Sequence, residues 1–319
     1  MKEFTIGKND AGQRLDRWLA KNLPLLPAPL AQKYIRLKRV KRNGRGARRD
    51  ERLELGDVLQ LYINDEFFDA PAPENAFLSL YKPNLNILFE NEHIMLLDKR
   101  PGLVVHPDEQ EKVNTLLTHI QAYLYQKKEW SPAWERAFTP ALCNRIDRNT
   151  GGIVIAAKTA EGLRVMNQKI RDREVRKYYL CAIQGKMPRP EGKLENFIWK
   201  DEVKKQVYVR TRPEPGAKKA VTLYKTLGVK NGLSLVECQL VTGRTHQIRA
   251  QFAAAGHPLV GDGKYGNERE NRKFHRRGQA LYSYKLEFRF TTGAGALEEL
   301  NGRCWQVEDV DFVREYFGD

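Results

Sequence analysis

Residues 144–157 read Asn144-Arg145-Ile146-Asp147-Arg148-Asn149-Thr150-Gly151-Gly152-Ile153-Val154-Ile155-Ala156-Ala157, a charged cluster followed by an apolar run. The run after the glycine pair is rich in β-branched residues, which is typical of a buried strand. Asp147 is therefore predicted to lie in a turn that leads into the core, between two arginines. Nearby guanidinium groups favour the ionised carboxylate. That state suits a nucleophile, a base or one half of a structural ion pair.

The rest of residues 86–319 is predicted to mix short strands with a few helices. Strands are expected at 87–90, 93–99, 153–157, 177–184, 221–227 and 233–240, and helices at 114–126, 159–170 and 247–255. A further strand and a helix are expected in the C-terminal segment 297–319. The strands and helices do not alternate regularly, as they would in a doubly wound sheet. The prediction is an α+β fold with a mixed, mainly antiparallel sheet.

Residues 1–63 are predicted to form a small α/β domain of their own. The spacing of Leu15, Trp18 and Leu19 indicates a first helix, and a proline-rich loop separates it from a second helix near 31–39. A basic turn and an alternating strand at 53–62 follow. This order of elements resembles the S4 RNA-binding domain. Residues 64–85 contain Pro71, Pro73 and Pro83 and are predicted to be a linker with a short strand at 77–80.

The charge of the chain indicates a polyanionic partner. Its 319 residues include 55 Lys and Arg against 40 Asp and Glu, a formal net charge of +15. Nine basic side chains and two acidic ones fall within residues 36–52, which favours nucleic acid over a merely solvated basic surface. The nine are Arg36, Lys38, Arg39, Lys41, Arg42, Arg45, Arg48, Arg49 and Arg52. We expect all but Arg52 among the RNA-contacting residues.

The sequence contains no pattern that requires a metal or a cofactor. Its four cysteines are widely spaced and lack metal-ligand spacing. Neither a dinucleotide-binding glycine motif nor a phosphate-binding loop with its lysine is present. We find no signal-peptide pattern at the N-terminus and no apolar run near the ~20 residues that would span a membrane. The expectation is a cytoplasmic protein that binds neither metal nor cofactor.

Three segments together resemble the RluA-type pseudouridine synthases, which isomerise uridine in structured RNA. They are residues 144–159, residues 242–266 around Thr245-His246-Gln247-Ile248-Arg249, and residues 99–107 with Pro101-Gly102-Leu103-Val104-Val105-His106-Pro107. They occur in the family's order between Ile87 and Tyr284. The resemblance implies an isomerase that needs no cofactor. With an S4-like domain attached, large-subunit ribosomal RNA is the first expected substrate and transfer RNA the second.

The resemblance also assigns roles to individual residues. Asp147 is implied to be the essential carboxylate, which attacks the sugar or the base or removes a sugar proton. Arg249 is implied to pair with it, and Tyr179, rather than its neighbour Tyr178, to be the active-site tyrosine. Arg145, Arg244 and Lys99 are expected to contact RNA phosphates or to anchor loops. This chain departs from the family's usual His-Arg-Leu-Asp and Thr-Ser-Gly at Asn144, Ile146 and Gly151.

Two other functions remain open at this point. One is a non-catalytic RNA-binding or ribosome-assembly protein that keeps the fold, although it would have no reason to retain Asp147, Arg249 and Tyr179 together. The other is a glycosidase-like hydrolase, which normally needs two carboxylates that flank the bond. Only Asp147 is prominent in the quoted segments. No heptad pattern or long exposed apolar helix predicts a partner subunit, so we expect a monomer.

Overall fold

The structure, a computed structural model, describes residues 1–7, 9–70, 73–133, 135 and 137–318. The chain divides into two compact units, and each has two segments. The first unit comprises Met1–Asn84 and His106–Glu135, and the second comprises Leu85–Val105 and Arg136–Asp319. This division differs from the predicted domain bounds, because the segment from His106 was expected in the catalytic domain.

In its described residues the first unit contains a four-stranded antiparallel sheet and three α-helices. Its helices are α1 (Leu15–Asn22), α2 (Ala28–Arg36) and α3 (Leu116–Gln126), and its strands are β1 (Lys2–Thr5), β2 (Val40–Arg42), β3 (Arg45–Gly46) and β4 (Val58–Leu61). The strand order is β1-β4-β2-β3. Leu15, Trp18 and Leu19 are buried on one side of α1, as their spacing predicted.

The predicted linker belongs to the core of the first unit. Short 3-10 helices occupy Asp65–Phe68 and Pro73–Ser79, so the expected strand at 77–80 is wrong. The ring of Phe77 lies 5.3 Å from that of Tyr125 and 5.2 Å from that of Trp130. These contacts attach α3 to the segment that precedes the second unit. Pro71 lies outside the described residues.

The second unit is built on one large sheet. Its strands are β5 (Ile87–Glu90), β6 (Ile94–Lys99), β7 (Ala141–Leu142), β8 (Gly151–Ala157), β9 (Val175–Gln184), β10 (Glu191–Asp201), β11 (Gln206–Arg210), β12 (Lys218–Lys230), β13 (Leu233–Leu240), β14 (Leu281–Phe288) and β15 (Cys304–Gln306). Its helices are α4 (Ala160–Arg171), α5 (Gln247–Ala254), α6 (Glu268–Arg272) and α7 (Asp311–Phe317).

The sheet is mixed and mainly antiparallel, which confirms the predicted fold class. The strand order is β11-β10-β12-β13-β9-β14-β8-β6-β5, while β15 pairs with β14 and β7 with β8. The β14–β8 pair is parallel. The expected helix after β8 is α4, whose cap residue Thr159 accepts a hydrogen bond from the Gly162 N–H. The hairpin β10–β11 was not predicted.

The glycine pair 151–152 allows β8 to pack closely on β14. A Cβ at Gly151 would lie 2.4 Å from the Tyr282 ring, and one at Gly152 would lie 2.2 Å from the Ser283 carbonyl oxygen. Gly152 also has a φ of 109°, which L side chains rarely adopt. The serine that the family usually has at position 151 would therefore collide with Tyr282 in this chain. Among the described residues, no helix combines the length and the apolar character needed to cross a membrane.

Candidate active site

Asp147 lies in the turn before β8, as the sequence predicted. All seven residues of β8 are buried, and the Asp147 carbonyl accepts a hydrogen bond from the Thr150 N–H at 3.0 Å, which closes the turn. The side chain of Asp147 retains 28% of its exposure. Asn144, which stands where the family usually has histidine, accepts a hydrogen bond from the Ile155 N–H at 2.7 Å. This bond fixes the start of the loop to β8.

Helix α5 is held against the sheet by two buried glutamines. Gln247 donates to the Val221 carbonyl, and Gln251 donates to the Leu194 carbonyl and accepts from the Thr222 hydroxyl. Residues four apart lie on the same side of a helix, so both amides face β10 and β12. Arg249 lies between them in sequence and therefore projects from another side of α5. These contacts hold α5 against the sheet independently of the contacts that Arg249 makes.

Arg249 connects two carboxylates. Its Nη1 donates to Oδ2 of Asp147 at 2.6 Å, while Nε and Nη2 donate to the two oxygens of Asp262 at 2.7 and 2.9 Å. The predicted contact between Arg249 and Asp147 is thus present. Burial alone would lower the pKa of Arg249, because it disfavours the charged guanidinium. The hydrogen bonds and negative charges of Asp262 and Asp147 outweigh burial, so the pKa of Arg249 is raised. Oδ1 of Asp147 has no hydrogen-bond partner among the residues that the structure describes.

Asp262 is a site residue that the sequence analysis missed. Its side chain is fully buried and also accepts backbone N–H bonds from Lys264 and Tyr265 at 2.9 and 3.1 Å. Burial alone would raise the pKa of Asp262, but hydrogen bonds from Arg249 and its charge bring it below the ordinary value. The one available signal was a carboxylate between two glycines inside the quoted segment 242–266. Both oxygens of Asp262 are occupied by Arg249, which argues against a role as the second carboxylate of a hydrolase.

His246 also approaches Asp147. Its Nε2 lies 3.8 Å from Oδ2 of Asp147, and its Nδ1 lies 2.8 Å from the Tyr265 hydroxyl. That hydroxyl accepts the Val207 N–H at 3.0 Å, so its own proton can be donated to Nδ1. Burial lowers the pKa of His246, although the charge of Asp147 opposes this shift. A neutral ring that accepts at Nδ1 carries its proton on Nε2, which faces Asp147.

Tyr179 lies on β9 and is almost completely buried at 5% exposure. Burial raises the pKa of its hydroxyl to about 12, with a smaller contribution from the Asp147 charge and an opposing hydrogen bond with Ser283. Its neighbour Tyr178 instead donates to Glu287 at 3.2 Å. The two tyrosines thus have different surroundings, and the choice of Tyr179 as the active-site tyrosine stays a prediction.

Lys99 is a loop anchor. Its side chain is 1% exposed, and Nζ donates to the carbonyls of Arg100, Leu103 and Arg148 at 3.1, 2.9 and 2.9 Å. Burial lowers its pKa to about 7 against the opposing charges of Asp147 and Asp98. The burial argues against the predicted phosphate contact. Of the two roles expected for Lys99, the structure supports only the structural one.

The other predicted RNA-contacting residues fall into two groups. Arg36, Lys38, Arg39, Arg45, Arg48 and Arg49 in the first unit and Arg145 and Arg244 in the second are exposed, and Lys41 is half-buried. Arg42 instead forms an ion pair with the buried Asp57 at 2.6 Å, which argues against RNA contact. Arg49 is exposed but lies 3.1 Å from Asp16. Arg244 donates to the Lys219 carbonyl at 3.0 Å.

A basic cavity borders Arg249 within the second unit. Its volume is about 770 Å³, and its lining includes four further cations. They are Lys264, Arg272, Arg276 and Arg277. Arg276 is paired with Asp311 and Glu315 on α7 at 2.9 and 3.1 Å. No group of three or more His, Cys, Asp or Glu among the described residues is arranged to hold a metal ion.

Comparisons with known proteins agree on one family. The family model described as RNA pseudouridylate synthase matches residues 93–254, about half of the chain. An uncharacterized RNA pseudouridine synthase of Mycoplasma genitalium is 32% identical over 90% of this chain and 88% of its own length. The ribosomal large subunit pseudouridine synthase D of Nitrosomonas europaea is 30% identical over 83% of this chain and 72% of its own length.

A solved structure shows the same fold. The human RNA pseudouridylate synthase domain containing 4 protein superimposes with a TM-score of 0.54 at 21% identity and covers 71% of this chain and 89% of its own. At this identity the likeness concerns the fold alone.

Proposed function

The chain belongs to the RNA pseudouridylate synthase family, and on that premise we propose that it isomerises uridines in ribosomal RNA with Asp147 as the catalytic carboxylate. The reaction breaks the bond between C1′ of the ribose and N1 of uracil. It then joins C1′ to C5, with loss of the C5 proton and gain of a proton at N1. The overall change is redox-neutral.

The arrangement of Arg249 carries this proposal. Its guanidinium holds one oxygen of Asp147 at 2.6 Å, while the side chain stays 28% exposed. The free oxygen can therefore reach a substrate atom. Asp262 takes two of the donors of Arg249, so the positive charge is shared between two carboxylates. Arg249 therefore contacts only Oδ2 of Asp147, which leaves the lone pairs of Oδ1 for a nucleophile or a base.

We assign supporting roles to Tyr179 and the basic cavity. The pKa of about 12 keeps the Tyr179 hydroxyl protonated at neutral pH, so it can donate a hydrogen bond or stack on uracil. The target base must leave its stack to reach Asp147. The cations around the cavity beside Arg249 are suited to the RNA backbone near the extruded nucleotide.

The substrate class follows from a relative and from charge. The Nitrosomonas relative is named for the large ribosomal subunit, which makes large-subunit ribosomal RNA the first candidate substrate. We further propose an S4-like RNA-binding role for residues 1–63, with the exposed arginines and lysines as phosphate contacts. The protein is proposed to act as a cytoplasmic monomer.

Mapping of pseudouridine in cells tests this proposal. A strain that lacks the gene is complemented with the wild type or with Asp147→Asn, and pseudouridines are mapped across ribosomal and transfer RNA. Specific ribosomal sites should vanish in the deletion strain and return only with the wild type. If pseudouridines are lost only from transfer RNA, transfer RNA replaces ribosomal RNA as the substrate. If the lost pseudouridines return with Asp147→Asn, Asp147 is not the catalytic carboxylate.

A further inference from the structure

The hairpin β10–β11 exposes an aromatic and basic cluster on one side. Trp199 is paired with Tyr208, and Phe197 with Arg210, across the two strands. Side chains alternate along a strand, so these four residues share one face of the sheet. Ile198 lies on the opposite face, in the core cluster that includes Ala250 of α5. The four residues therefore face away from the helix that carries Arg249.

The cluster has an ordered geometry. The rings of Trp199 and Tyr208 lie 5.9 Å apart at 37°. The guanidinium carbon of Arg210 lies 5.9 Å from the Trp199 ring and 5.6 Å from the Tyr208 ring. A Cβ at Gly216 would lie 3.6 Å from Trp199, so the loop before β12 supports one edge of the indole. These contacts hold the rings in place before any ligand binds.

The core beneath the hairpin does not use these rings. Ile198, Val207, Ala220 and Ala250 form that cluster, with Val209 and Tyr265 packed against it, among the described residues. Trp199 and Tyr208 remain half-buried on the other face. A partly exposed aromatic pair with an adjacent arginine is the usual kind of surface on which unpaired bases stack.

The charge around the cluster suits RNA. Residues 193–219 contain eight Lys and Arg against four Asp and Glu. Several lysines there pair with acidic neighbours, such as Lys219 with Glu195 at 2.5 Å. Lys204 and Arg212 are exposed. The net positive charge of this segment favours the phosphates of an RNA strand over an uncharged ligand.

The hairpin is also joined to the active site. The Val207 N–H on β11 donates to the Tyr265 hydroxyl, which contacts His246 beside Asp147. On the basis of the function proposed above, we propose that Phe197, Trp199, Tyr208 and Arg210 form a second RNA-binding surface, the hairpin platform. It stacks unpaired bases of the substrate outside the catalytic pocket.

Binding of a single-stranded probe tests the hairpin platform. Fluorescence anisotropy of fluorescein-labelled decauridylate is measured with the full chain, its Trp199→Ala, Trp199→Tyr and Tyr208→Ala variants, and the control Val203→Ala at the hairpin tip. Loss of one stacking ring should weaken binding about tenfold, whereas Trp199→Tyr should retain most of the affinity. Val203 is 93% exposed, so its truncation should change nothing.

An abasic probe separates stacking from general charge. Decauridylate with abasic nucleotides keeps its phosphates but has no bases to stack, so it should bind the wild type at least as weakly as intact decauridylate binds Trp199→Ala. Trp199→Ala, which keeps Tyr208, should discriminate less than the wild type between the two probes. Wild-type affinity in thermally stable Trp199→Ala and Tyr208→Ala would overturn the hairpin platform, as would no binding of decauridylate to the wild type.

Tritium release from ribosomal RNA with C5-tritiated uridine, run in parallel, distinguishes this proposal from the function on which it rests. Trp199→Ala should raise KM and leave kcat near the wild-type value. If Asp147→Asn is inactive while Trp199→Ala matches the wild type in both assays, only the platform fails. If Asp147→Asn still releases tritium, the proposed catalytic role fails instead.

Discussion

Replacement of Asp262 by asparagine tests how the candidate site is held together. Asp262 is fully buried and accepts two hydrogen bonds from Arg249 at 2.7 and 2.9 Å. Asparagine has almost the same shape but no charge, and its NH₂ group would face one N–H of the guanidinium. Asp147, which is 28% exposed, would then be the only carboxylate that touches Arg249.

The expected loss of stability is large. Removal of one partner from a buried ion pair costs about 3–5 kcal/mol, because the remaining charge stays buried. The backbone bonds of Lys264 and Tyr265 to Asp262 can survive in part through the amide oxygen, so we expect the lower end, about 3 kcal/mol. The kcat should fall as well, because Asp262 would no longer hold Arg249 in the position from which it contacts Asp147.

Urea unfolding and tritium-release kinetics measure the two effects. Asp309→Asn is the matched control, since Asp309 is 72% exposed and its ion pair with Arg314 should contribute little. A free energy of unfolding for Asp262→Asn within about 1 kcal/mol of the wild type, together with an unchanged kcat, would refute the claim that Asp262 positions Arg249.

Three further predictions concern other parts of the molecule. Gly151→Ala should lower the free energy of unfolding by about 1–3 kcal/mol, because its Cβ would meet the Tyr282 ring at 2.4 Å, whereas Gly263→Ala, which has open space, should not change the urea midpoint. Burial lowers the pKa of His246 in the folded state. As the pH falls below about 6.5, the imidazole is therefore protonated in the unfolded state before it is protonated in the folded state. The free energy of unfolding should decrease over this range until the pH reaches the folded-state pKa. His246→Asn should remove this part of the pH dependence in urea titrations, and the control His275→Asn at an exposed position should keep it. Arg45→Gln with Arg48→Gln should reduce the salt slope of RNA binding by about 0.7–0.9 for each phosphate that the protein no longer neutralises, while Arg42→Gln, which breaks the pair with Asp57, should lower stability and leave the slope unchanged.

The sequence identified the fold class and the pair at the centre of the site. Asp147 and Arg249 are 102 positions apart, and local patterns alone could not join them. The resemblance of the two segments to one family did so, and the structure brings the side chains to 2.6 Å. Turn and strand around Asp147 were predictable because the glycine pair and the apolar run are local signals.

The role of Asp262 could not be predicted in the same way. Its importance depends on α5, which is held by glutamine contacts to β10 and β12, and on the loop that brings Asp262 beneath Arg249. Neither contact has a local sequence signal. Arg42 illustrates the same limit, because nothing in a run of basic residues shows that one of them meets a buried Asp57 fifteen positions later.

The unpredicted parts of the fold have similar causes. The hairpin β10–β11 contains many charged residues, so apolar residues such as Ile198 and Val207 do not form a clear pattern of alternating apolar and polar positions. The segment 64–84 contains three prolines, which suggested a linker. Its burial depends on the ring contacts of Phe77 with Tyr125 and Trp130, two residues more than forty positions further along the chain.

Tritium release by purified protein tests the central claim most directly. Wild type and Asp147→Asn are compared on large-subunit ribosomal RNA that carries C5-tritiated uridine, with melting temperature and RNA affinity measured for both. We predict release by the wild type, a decrease of about 10⁴-fold or more for Asp147→Asn with fold and affinity preserved, and no free uracil among the products. Release by Asp147→Asn at the wild-type rate would contradict the account.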